Sequence, residues 1–131
     1  MTKPRPLLCV TLALAIQCTG LATADAAVLA SAVLLSTDAQ RLDCFVSNVG
    51  TRPVEVATVS IANGGGTLLS LADDSCTGTL SPGASCLFSA ALDGRFSARG
   101  TVEVRGSAKG LRGQCQLSAS SRLVATTELR D

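Results

Sequence analysis

In CTGTLSPGASCLFSAAL, residues Cys76 to Leu92, two cysteines enclose a Ser-Pro-Gly break, and the second cysteine opens an alternating run. Pro82 presets the backbone for a turn and Gly83 supplies a conformation that other residues reach only at a cost. Beyond the turn Cys86, Phe88, Ala90 and Leu92 fall on one parity, with Leu87, Ser89 and Ala91 between them. Period-2 alternation after a turn signal predicts a half-buried strand whose first inward residue is a cysteine and whose central core residue is Phe88.

The same pattern extends in both directions. From Gln40 to Asn48, Leu42, Cys44 and Val46 face one way and Arg41, Asp43, Phe45 and Ser47 the other, which predicts a strand with Cys44 inward and Phe45 outward. Val49-Gly50-Thr51-Arg52-Pro53 closes it, because Pro cannot donate to a central ladder. In Val54 to Ile61 the apolar parity flips between Val56 and Val59, so a β-bulge or sheet switch is expected at Ala57-Thr58. Asn63-Gly64-Gly65-Gly66 is a turn; it lacks the lysine and the following helix pattern that a phosphate loop requires. Thr67 to Ala72 is expected to form another short strand ending at Asp73-Asp74-Ser75. Val28 to Leu35 is assigned to a first strand, its Ala-rich composition leaving a helical turn open. On the C-terminal side Arg95 to Arg105 is a strand with Val102 and Val104 inward, Gly106 to Gly110 a turn, and Gln114 to Ala119 a strand with Cys115 and Leu117 inward. Ser120 to Asp131 either extends that strand or adds a short one. The sum is an all-β domain of about seven strands, and short strands separated by turns every 8 to 12 residues or so fit an Ig-like β-sandwich.

The N-terminus points to export. Lys3 and Arg5 precede the apolar run Leu7 to Ile16, and Ala22-Thr23-Ala24 or Ala24-Asp25-Ala26 carries small residues at signal-peptidase spacing. Residues 1–26 are assigned to a secretory signal peptide and 27–131 to the domain, which is expected to be secreted or periplasmic. Gln17 and Asp25 interrupt the run before it reaches the roughly 20 apolar residues of a spanning helix, so no membrane span is expected after cleavage. Gln17 before Cys18 also fits a lipoprotein signal poorly. Past the signal remain Cys44, Cys76, Cys86 and Cys115, an even set in an exported chain, hence disulfides. Spacing leaves three pairings open; Cys76 with Cys86 is the nearest, which would join Cys44 to Cys115. None of the short Cys-x-x-Cys spacings of zinc sites occurs.

Asn48, Gly50 and Pro53, followed by Cys76, Leu80, Pro82, Gly83 and Cys86, resemble the motif of bacterial Ig-like domains related to the ASH group, named in part for ASPM and Hydin. The likeness covers roughly Leu42 to Val104. It implies an Ig-like sandwich with a Cys76 to Cys86 link and a structural or binding role without catalytic residues of its own. Cys44 and Cys115 lie outside that pattern, and such domains usually stand in longer arrays.

The chemistry on offer is narrow. The chain has no His, which excludes histidine triads and imidazole metal sites, and Lys109, in a Gly-rich turn, is the only lysine past the signal. Asp73-Asp74 lacks the further oxygen ligands that calcium needs, so no metal or cofactor is expected and no enzymatic activity. With Phe45, Phe88 and Phe96 as its only aromatics, the domain has little surface for stacking bases, and past Ala26 nine basic residues balance nine acidic ones; no nucleic-acid partner is expected. Charge is uneven, however: from Arg95 to Arg112 five cations stand against Glu103 alone, whereas Asp38 to Asp74 holds five acids against Arg41 and Arg52. Phe45, Arg95, Arg99, Arg105, Lys109 and Arg112 are therefore the candidate interaction surface for a protein partner, with a sheet edge and the Cys76–Cys86 corner as further contact points. The alternative is an inhibitor-like protein that presents Asp73 to Cys86 to a protease, a disulfide-held loop being preorganised for binding.

Overall fold

The computed structural model describes residues 25–94, 97–120 and 122–131. Ten strands occur there: β1 (Ala26–Ser31), β2 (Leu34–Leu35), β3 (Arg41–Asn48), β4 (Val54–Asn63), β5 (Asp73–Asp74), β6 (Gly78–Leu80), β7 (Ser85–Ala91), β8 (Ser97–Arg105), β9 (Leu111–Ala119) and β10 (Arg122–Arg130). They pair antiparallel in one path, β5-β7-β3-β9-β10-β1-β8-β4-β6, with β2 on β8. The path curls over a single core: on β8, Gly100 lies against Cys44 of β3, Cys115 of β9 and Phe88 of β7, which belong to the other half of the sheet. The all-β class and both cystine links, Cys44–Cys115 and Cys76–Cys86, are as expected. The predicted signal segment lies outside the described residues, apart from Asp25 and Ala26.

Parity predicts the core well. Leu42, Cys44, Val46, Phe88, Ala90, Val102, Val104, Cys115 and Leu117 are all at or near zero exposure. The ladder between β4 and β8 shifts register between Val56 and Thr58, and this bulge lets Val56, Val59 and Ile61 all turn inward.

The strand count needs correction, ten in place of about seven. β2, β5 and β6 have only two or three residues, too few for alternation to register. Thr67 to Ala72 forms no strand. Leu68 makes an isolated bridge to Ala62, Leu69 N donates to Ile61 O (2.8 Å) and Ala72 N to Ser89 O (2.8 Å), so the segment leaves β4 and arrives at β7. After β5 has paired with β7, the chain crosses back to form β6 on β4. Residues 67–80 thus lace the two ends of the sheet path together, and the Cys76–Cys86 bond ties that lacing to β7. Val28 to Leu35 is broken into β1 and β2, and Ser120 to Asp131 carries the full strand β10, which joins β9 to β1.

Candidate interaction surface

Asn48, the last residue of β3, gathers the turns at one end of the molecule. It is fully buried, and its Nδ2 donates to Arg52 O (2.8 Å) and Leu80 O (2.9 Å) while its Oδ1 accepts Gly50 N (3.0 Å). Its backbone N–H donates to Ala84 O (2.9 Å) and its carbonyl accepts Gly83 N (2.7 Å). Gly83, at φ 78°, has the positive φ that a type II Pro-Gly turn demands. Val49 N donates to Gly110 O (2.9 Å), which brings in the 106–110 turn. Three turns far apart in sequence are thereby fixed beside one another.

Between two of them opens a groove of about 580 Å³, lined by Arg52, Pro53, Val54, Arg105, Ser107 and Lys109 among others. Arg52, Arg105 and Lys109 are exposed, and among the described residues none of them is ion-paired. A second groove, of about 450 Å³, runs along the outer face of β3 and β9 and is lined by Phe45, Arg112, Gln114, Glu128 and Leu129. Phe45 points outward as its parity predicts, with 37% of its surface exposed. A smaller cleft adjoins both, sharing Lys109 with the first groove and Arg112, Glu128 and Leu129 with the second.

The predicted surface is therefore divided. Arg105 and Lys109 come together, and Phe45 and Arg112 come together. Arg99 faces outward on β8 opposite Ala62, six residues from Arg105 and so about 20 Å along the strand. Arg95 lies outside the described residues. Arg52 and Glu128 were missed: Arg52 sits in the acid-rich half of the sequence, and its turn comes beside Lys109 only through the long-range pairing of β3 with β9 and β4 with β8, to which Val49 N adds a bond to Gly110 O.

The acidic pair is occupied structurally. Arg41 Nη2 reaches Asp73 Oδ2 (2.8 Å) and Ser89 Oγ (2.9 Å), its Nε reaches Asp43 Oδ1 (2.5 Å), and Ser89 Oγ donates to Asp73 (3.0 Å). This cover explains why Ser89, on the outward parity, is fully buried. The hydrogen bond to Asp43 raises the Arg41 guanidinium further above its ordinary value, against the opposing effect of burial. Asp74 accepts Cys76 N (2.9 Å), Thr77 N (3.1 Å) and Thr77 Oγ1 (2.7 Å). Burial pushes its carboxyl up, but these hydrogen bonds together outweigh it and hold the group below its ordinary value. Among the described residues no group of three His, Cys, Asp or Glu side chains is placed to hold a metal ion. The Asp73 to Cys86 segment is anchored along its length, by β5 on β7, β6 on β4, buried Leu80 and the Cys76–Cys86 bond.

No known protein family, curated protein or solved structure matches the chain. Among the described residues no helix is long and apolar enough to cross a membrane.

Proposed function

We propose that this chain is an exported, disulfide-stapled binding module that contacts a protein partner through the Phe45–Arg112 groove. The observation that carries the reading is the pairing of an outward, part-exposed aromatic with an arginine in one open groove. Phe and Arg are among the side chains enriched at protein–protein interfaces. Export is supported by the basic-then-apolar N-terminus together with two disulfides, which persist in oxidising compartments. Of the two candidate cleavage points, the one after Ala24 suits the fold better than the assigned one after Ala26, since Asp25 O accepts Gly106 N and Ala26 already pairs with Arg105. A relation to the Ig-like ASH-type domains is part of the proposal. Its support is that the resembling residues Asn48, Gly50, Leu80 and Gly83 meet in one hydrogen-bonded cluster. Presentation of residues 73–86 to a protease ranks lower, because that segment is laced into the sheet.

Cross-linking in the native compartment followed by mass spectrometry tests the reading. The expected result is one dominant protein partner whose cross-links fall by about tenfold or more in Phe45→Ser and Arg112→Ala. A partner captured equally by these variants would contradict the assignment of surface.

A further inference from the structure

We infer that the groove between the 49–53 and 105–110 turns is a second, separate site that binds carboxylates of a short acidic peptide segment. Three cations, Arg52, Arg105 and Lys109, converge on it from two turns and the end of β8, and no acidic side chain lines it. The three are free of ion pairs among the described residues, so their charge is available to a ligand. Guanidinium groups present a planar fork that matches a carboxylate, and Pro53 and Val54 give the same groove an apolar wall against which a peptide's methylenes pack.

The ligand class follows from how short the positive surface is. Glu55 stands opposite Arg105 across the β4–β8 ladder, and Glu103 lies two residues away on β8 with its carboxylate accepting Thr58 Oγ1 (3.2 Å). A polyanion or an anionic membrane requires basic surface that continues; these two acids bound it on the β4–β8 side, and in the adjoining cleft Glu128 and Asp131 interrupt it among Arg112 and Arg130. A segment of a few acidic residues fits within it. The adjoining cleft at Lys109 and Arg112 leads from here toward Phe45, so a partner held at Phe45 would extend an acidic stretch into this groove. In that respect the inference rests on the proposed protein-binding role.

The test is fluorescence anisotropy with the oxidised, signal-cleaved protein and labelled hexaglutamate, with hexaglutamine, inorganic phosphate and heparin as comparison probes. Hexaglutamate is expected to bind, with affinity falling as salt rises, and hexaglutamine is not. Arg52→Gln, Arg105→Gln and Lys109→Gln each weaken binding by about threefold and the triple variant by about thirtyfold, whereas Arg99→Gln leaves it unchanged. Lys109→Glu/Arg105→Glu binds hexalysine instead, a gain that misfolding would not produce. Equal hexaglutamate binding by wild type and triple variant would overturn the site, and tighter binding of heparin or phosphate through the same residues would overturn the ligand class. A partner lost in Phe45→Ser but retained in a chain that fails to bind hexaglutamate overturns this inference and leaves the protein-binding role standing. Hexaglutamate binding through the three cations, with no protein captured in the compartment, supports the groove and removes that role.

Discussion

Asn48 has no exposed surface and its polar groups are all in use, so loss of its side chain should be felt both in the 49–53 turn and at Leu80 before the Pro-Gly turn. Asn48→Ala strands the Leu80 and Arg52 carbonyls and the Gly50 N–H, and is expected to cost about 2 kcal/mol or more in denaturant unfolding. Gly100 is constrained differently. A Cβ there would lie 2.7 Å from Cys115 Sγ and closer still to Cys44 Sγ, so Gly100→Ala should destabilise by about 1–3 kcal/mol. Because the collision is with the cystine, the penalty should shrink in a Cys44→Ala/Cys115→Ala background, and an unchanged penalty would exclude that cause. Asp74 makes the acid limb of stability testable. Its folded pKa is depressed, so its contribution is fully present above the ordinary carboxylate range near about pH 4 and is lost as pH falls through the folded value. The stability gap between wild type and Asp74→Ala should therefore be flat at neutral pH and close in acid.

The bulge in β4 gives a sharp test of how elements were encoded. With Ala57 removed, Val56, Thr58 and Val59 alternate regularly and both faces are kept, so this deletion should fold with both disulfides intact. Deletion of Ser60 instead turns Ile61 outward and should not; near-ultraviolet circular dichroism and thiol titration separate the two outcomes. The long strands and the bulge were legible because one buried face imposes period-2 alternation on residues such as Leu42, Cys44 and Val46. Thr67 to Ala72 misled because its hydrogen bonds go first to β4 and then to β7, a division that no local pattern expresses. The two- and three-residue strands at the ends of the path are set by partners rather than by their own composition, and their shortness leaves little edge for a foreign strand. The candidate surface was half legible. Parity turned Phe45 outward, but the union of Arg52 with Lys109 depends on the long-range pairing of β3 with β9 and of β4 with β8.

At the scale of the whole molecule the two cystines have unequal reach. Cys44–Cys115 closes 71 residues between directly paired positions of β3 and β9, and Cys76–Cys86 closes 10 residues at the lacing of the sheet's two ends. Chain entropy predicts that replacing the first pair by alanines costs about 4 kcal/mol and the second about 3, a ranking that urea unfolding of the two double variants checks. Both figures are large beside the stability of a small domain, so the fold is compatible with an oxidising compartment and the proposed export. That export is tested most directly by non-reducing peptide mapping of the protein recovered from the cells that make it. The expected result is a chain beginning near Asp25, with Cys44 joined to Cys115 and Cys76 to Cys86. A chain that keeps Met1 and carries four free thiols would contradict it.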